Sequence, residues 1–192
     1  MNGVKTLLIG AYPQDVRFIG HGCEINQLVM LGELCLLSGA RIARIISGGQ
    51  TGADRAALDW AIAHNIPHGG WCPKGRLAED GRIDSRYGLK ETPKPEYIQR
   101  TEWNVRDSDA TVIFSIKPIL SGGSLATKDL AVSHQKPCLH LTAAQSTTEN
   151  TENLRKFLKE HNVRILNIAG PRASGEHEID ALVSNVFDAV CE

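Results

Sequence analysis

The sequence predicts an α/β fold: a doubly wound, mostly parallel sheet with helices on both faces. Two observations carry this. From Arg41 onward, short β-branched runs alternate with segments whose apolar residues recur at helical spacing, the pattern of right-handed β-α-β crossovers. Three of the strand-to-helix junctions are also written as glycine turns. With 192 residues the chain is long enough for one domain with its own core.

The elements follow in order. Residues 42–46 predict a strand, and 52–64 a helix with Ala53, Ala56, Ala57, Trp60 and Ala61 on one face. A short strand is expected over 66–71. Residues 74–100 then lose apolar periodicity and fill with charges, glycines and prolines. Thr101 to Ser108 predicts a short helix, and the run ATVIFSI (110–116) a buried strand. A glycine turn and helix are expected over 121–133, a strand over 137–141, a helix over 151–161 and a strand over 163–169. Gly170-Pro171-Arg172 leads into a last helix ending near Val190. Residues 1–40 read as an extension before the domain proper, which spans 41–192. The extension holds either a strand at 5–10 and a helix at 26–37, or a loosely ordered segment.

Composition narrows the function. A hydrophobic content of 42%, a charged content of 22% and a net charge of -1 describe a globular protein with no general affinity for nucleic acid. The five cysteines are odd in number and include no C-x-x-C pair, which reads as reduced thiols in the cytoplasm. His64, His68 and Cys72 are four apart, but a helix end and a strand separate them, so no metal held by the protein is expected. The apolar run 28–37 contains Glu33 and is too short for a membrane span. Nothing resembles a secretory signal.

The chemistry concentrates at the turns. Ser47-Gly48-Gly49-Gln50-Thr51-Gly52 breaks a β-branched strand and passes into an Ala/Leu-rich helix. Such a turn lets backbone N–H groups and the helix dipole hold an anion. Arg55, a cation in the first helical turn, fits only where something negative sits nearby. The other reading is a tight turn with Arg55 in solvent. Gly122-Gly123-Ser124 repeats the pattern after the most apolar strand, and Gly170-Pro171-Arg172 after the last. Ligands of doubly wound sheets bind on this edge, where strand order reverses. G-x-G-x-x-G is absent, which argues against a dinucleotide fingerprint.

Residues 74–100 are too long for a connector and read as a binding loop or lid, or else as a solvated surface loop. Within them Lys74, Arg76, Arg82 and Arg86 offer cations for an anion. Glu79 and Asp80 offer acceptors for a sugar or pterin edge, or acid/base groups. Trp71 and Trp103 either stack on a ring or pack in the core.

The segments SGGQTGADRAALDWA (47–61), IPHGGWCPKGRLAEDGRI (66–83), RTEWNVRDSDATVIF (100–114), LSGGSLATKDLA (120–131) and LNIAGPR (166–172) together resemble the molybdenum carrier family. That family is related to the lysine decarboxylase-like phosphoribohydrolases. The resemblance covers about 41–192. It implies a Rossmann-like domain that oligomerises with copies of itself. It also implies a pocket for a nucleotide or pterin phosphate, with molybdenum cofactor (molybdopterin) as bound ligand. Gly48, Gly49, Thr51 and Gly52 match its first glycine loop, and Gly122, Gly123 and Ser124 its second. Where the phosphoribohydrolases carry Gly-Thr and then a glutamate, this chain has Leu125-Ala126 and then Asp129.

Two functions follow. The favoured one is a cytoplasmic carrier of a small phosphorylated heterocycle, contacting neither nucleic acid nor membrane. Its expected site residues are Gly48, Gly49, Gln50, Thr51, Gly52, Arg55, Lys74, Arg76, Gly122, Gly123, Ser124 and Arg172. The alternative is a nucleoside 5′-monophosphate N-glycosidase using Asp129 or Glu79.

Overall fold

The computed structural model describes residues 36–37 and 40–191, with side chains from Ile42 onward. The expected strand at 5–10, all but the last two residues of the expected helix at 26–37, and Cys23 and Cys35 lie outside the described residues. Strands β1 (Leu36–Leu37) and β2 (Ala40–Arg41) pair antiparallel. There follow β3 (Arg44–Ser47), α1 (Ala53–Ala63), β4 (His68–Gly69), β5 (Trp71–Cys72), β6 (Leu77–Ala78), β7 (Gly81–Arg82) and β8 (Lys90–Glu91). The chain continues through α2 (Tyr97–Arg106), β9 (Ala110–Ser115), α3 (Gly122–Ser133), β10 (Cys138–Thr142), α4 (Thr147–Glu160), β11 (Ile165–Ala169) and α5 (Ile179–Cys191).

The main sheet has the order β10-β9-β11-β3-β4 and is parallel throughout. The last strand in sequence, β11, is therefore the middle one, with Leu166 opposite both Ile45 and Ala110. The crossover from β3 runs towards one edge and that from β9 towards the other. With right-handed connections, α1 and α3 fall on opposite faces. Helices α1, α5 and α4 lie side by side, and α2 packs with α3.

Period-two alternation divides the strand residues between these layers. Ile45, Val112, Phe114, Leu141, Leu166 and Ile168 join the large apolar core with α1, α4 and α5. The intervening Thr111, Ser115 and Asn167 are buried polar residues, and Asn167 Nδ2 donates to Thr111 Oγ1 at 3.1 Å. All six residues of β9 are buried, as expected of a central strand covered on both faces.

Several boundaries differ from their sequence expectations; the expected strand over 66–71 is split into β4 and β5, which belong to different sheets. Helix α4 starts at Thr147 because Ser146 and Glu149 form a capping box, each side chain accepting the other's backbone N–H. Helix α2 begins at Tyr97, directly after the bends at Pro93, Lys94 and Pro95. The stretch after β11 stays irregular to Glu178, so Arg172 is not at a helix start.

The charged segment after Cys72 is a folded subdomain. Strand β5 pairs with β8, and β6 with β7. A second small core of Leu58, Cys72, Ile83, Tyr87 and Leu89 holds it to α1. Arg76 is buried there and gives its guanidinium to Ile83 O (2.9 Å), Leu89 O (2.8 Å) and Asp84 O (2.7 Å). Cys72 and Cys138 are free thiols. Cys191 is disulfide-bonded, which corrects the expectation that all five cysteines are reduced. Among the described residues no helix is long and apolar enough to cross a membrane, and no group of His, Cys, Asp and Glu is arranged to hold a metal.

Candidate functional site

A cavity of about 450 Å³ opens at the carboxyl ends of β3, β9 and β11, the switch region of the sheet. Ser121, Gly123, Ser124 and Thr127 of the α3 region form one wall, and Tyr97, Ile98, Arg100 and Thr101 of α2 another. Gln50 and Asp54 contribute from the β3–α1 junction, and residues 169–172 with Ser174 and Gly175 from the loop after β11.

The β3–α1 turn is closed by the protein itself. A Cβ on Gly48 would lie 1.6 Å from Arg100 Nη1, so this glycine makes room for an arginine. One on Gly49 would meet Leu89 Cδ1 at 2.4 Å, and one on Gly52 would meet Pro171 O at 2.5 Å. The α1 amides are also engaged: Ala53 N donates to Pro171 O at 3.4 Å and Arg55 N to Gln50 O at 3.1 Å. Asp54, in the first turn, accepts from Gln50 N at 3.4 Å and from Arg100 Nη1 at 2.7 Å. Asp54 is 2% exposed. Burial pushes its carboxyl above the ordinary value, against the pull of the Arg100 guanidinium.

The β9–α3 turn is different. A Cβ built on Gly122 or Gly123 meets nothing within 4 Å. Gly122 has φ +52°, and Ser121 makes no side-chain cap. The first-turn amides of a helix lack intrahelical partners, and Gly123 and Ser124 of this turn line the cavity while Gly122 does not. Arg172 lies on the same cavity with its guanidinium 4.9 Å from the Tyr97 ring centre.

The other sequence candidates divide clearly. Gln50 lines the cavity; its Oε1 accepts from Thr51 N (3.0 Å) and Glu79 N (2.9 Å). Arg55 has found its negative partner inside the chain. It forms an ion pair with Asp80 and also donates to Gly49 O at 3.2 Å. Lys74 and Arg76 are not among the lining residues, nor are Thr51, Glu79 and Asp129, the last exposed on α3. Arg86 pairs with Asp59. Trp71 and Trp103 pack edge-on against each other, away from the cavity. Sequence reasoning missed Asp54, Arg100 and Tyr97. The acid in the first turn of α1 is a weak signal for the first; nothing local marks the other two.

Glu79 works as a clasp. Its carboxylate accepts from Thr51 Oγ1, from Ser174 Oγ at 2.5 Å and from Ser174 N at 3.3 Å. This ties the β6–β7 hairpin to the cavity loop after β11. Hydrogen bonds from Ser174 and Thr51 hold Glu79 below its ordinary pKa, and Arg55 does the same for Asp80. Because both values are lowered by folding, these contributions are present above the ordinary carboxylate range and lost as pH falls through the lowered values. Amide protection at Ser174 and across 77–82 should therefore weaken on acidification while that of β9 holds. Unchanged relative protection would show that the clasp does not control the loop.

No curated protein matches the chain. The crystal structure of a putative molybdenum carrier protein from Syntrophus aciditrophicus SB is 49% identical in sequence. The match covers 78% of this chain and 94% of that one, with a TM-score of 0.76. Residues 45–191 match the model of the circularly permutated YpsA SLOG family. This match, which spans well over half of the chain, places it in the circularly permutated YpsA SLOG family.

Proposed function

We propose that the cavity binds a small phosphorylated heterocycle, of the molybdenum-cofactor or nucleotide kind, and that the protein carries it. The observation that supports this best is the uncovered amino end of α3, where a Cβ on Gly122 or Gly123 would meet no described residue within 4 Å and Gly123 and Ser124 line the cavity, a place where helix N-terminal amides take a phosphate. Arg172 adds a cation on the same cavity, and Tyr97 with Ile98 offers an apolar surface for a ring. The volume of about 450 Å³ suits a ligand of that size. A molybdenum-bearing ligand would be cargo, held by its phosphate and ring. Neither free thiol, Cys72 or Cys138, lines the cavity to bind its metal. Of the two glycine loops expected to hold the phosphate, this reading keeps the second and drops the first. Assembly with copies of itself in the cytoplasm belongs to the same proposal. Leu125 (42% exposed) and Val132 (67% exposed) on α3 supply apolar surface for it.

For the N-glycosidase alternative, the carboxylate lining the cavity is Asp54, already paired with Arg100, while Asp129 points away and Glu79 is clasped.

Calorimetric titration with phosphorylated ligands tests the proposal, with Gly123→Val as the control. The variant should keep its melting temperature and lose about 1.5–3 kcal/mol of binding, the scale of charge-assisted hydrogen bonds. Equal affinity in a folded Gly123→Val protein would remove the α3 site.

A further inference from the structure

Gln50 is 4% exposed, and its orientation is fixed because Oε1 already accepts two backbone N–H groups, those of Thr51 and Glu79. Its Nε2 is therefore turned the other way, and it has no hydrogen-bond partner. Arg100 Nε is likewise buried and unpartnered. The two residues converge on Asp54 Oδ2, Gln50 through its backbone N–H and Arg100 through Nη1, and both lie in the cavity wall. A buried donor without an acceptor is costly to a fold. A cavity wall that carries one is suited to a ligand that brings the acceptor.

Resting on the phosphate reading above, we infer that this inner end recognises a ring carbonyl, with Gln50 Nε2 donating to it. The cavity would thus select oxo-substituted rings over rings that present an amine or bare C–H at that edge. Spacing supports the assignment. Gln50 follows β3 and the α3 turn follows β9, with β11 between them. They are thus two strand spacings apart, about 10 Å, which lets one mononucleotide-sized ligand place its phosphate at α3 and its ring at Gln50. Nε2 is shielded from solvent in this conformation, so the carbonyl reaches it as the neighbouring wall shifts.

The test uses the full chain and three probes that differ at C6, and for the inosine compound also in the N1 proton that accompanies its carbonyl: inosine 5′-monophosphate, adenosine 5′-monophosphate and purine riboside 5′-monophosphate. The wild-type protein should bind the inosine compound at least about ten-fold tighter than either of the others, as expected where a buried donor is otherwise left unpaired. Gln50→Glu keeps the oxygen that holds Thr51 and Glu79 but removes the donor, so its preference should shrink to within about two-fold. Equal binding of all three by the wild-type protein would overturn the carbonyl assignment and leave the phosphate site standing. A preference that survives in folded Gln50→Glu would show that another group reads the ring. No binding of any probe would overturn the carbonyl assignment for purine nucleotides, together with the nucleotide form of the phosphate reading. Should Gln50→Glu not fold, the wild-type series decides alone.

Discussion

Replacing Arg100 with alanine is expected to destabilise the protein by about 3 kcal/mol, the lower end for breaking a buried ion pair. That corresponds to a fall of about 6–12 °C in melting temperature for a chain of this size. Asp54 is 2% exposed and accepts its shortest hydrogen bond from Arg100, which is itself 14% exposed at the side chain. Removing the guanidinium strands a carboxylate inside the molecule and leaves a hole above Gly48, whose missing Cβ gave the guanidinium its place. Burial already raises the Asp54 pKa, and without Arg100 it rises further. A carboxyl whose folded value lies above its unfolded one causes no loss below the unfolded value and its full loss above the folded one. The deficit of Arg100→Ala should accordingly shrink as pH falls towards 3.8, the ordinary aspartate value. Adding Asp54→Asn should recover part of the loss at neutral pH. Chemical denaturation at several pH values measures both effects. A deficit below about 1 kcal/mol, or one independent of pH, would show that the pair is not what holds α2 to the β3–α1 turn.

Gly52→Ala is the second large effect. Its Cβ would come within 2.5 Å of Pro171 O, 2.8 Å of Ala173 N and 2.9 Å of Arg172 C, all backbone atoms that cannot rotate away. The φ of +79° adds about 1–2 kcal/mol of strain for a residue with a side chain, and overpacking another 1–3 kcal/mol or so. The sum is about 2–5 kcal/mol. Gly123→Ala, two strands away, should stay within about 0.5 kcal/mol of the parent because its Cβ enters open space. Thermal melts of the two variants side by side separate a glycine needed for packing from one that keeps a surface bare. Similar losses in both would end the distinction between the two loops.

That distinction was out of reach of the sequence. Both turns are written as Gly-Gly followed by a helix, and only the fold shows that residues 170–173 lie across the first and that no described residue comes within 4 Å of a Cβ at the second. The alternation of strands and helices was legible because β9, β11 and α1 carry long periodic runs. The subdomain after Cys72 was not. Its strands are two residues long, too short for any period, and its core joins Leu58 to Ile83, Tyr87 and Leu89 across some thirty positions. Arg76 read as an anion binder because the carbonyls it serves cannot be seen in a sequence of side chains. Arg55 read as facing an anionic ligand, whereas the structure pairs it with Asp80 of the same chain. Asp54 and Arg100 are 46 positions apart, and no local pattern joins them.

The central place of β11 has a consequence for the order in which the chain acquires its structure. β3 pairs with β4, and β9 with β10, but neither pair touches the other except through β11, which follows both in sequence. Two half-sheets thus emerge from the ribosome, each with an unprotected inner edge, before the strand that unites them exists. Such edges are templates for pairing with a neighbouring chain, and long-range closures of this kind are slow. During synthesis, the hazard for this chain is capture of one nascent half-sheet by another. That hazard ends only when 165–169 inserts between them.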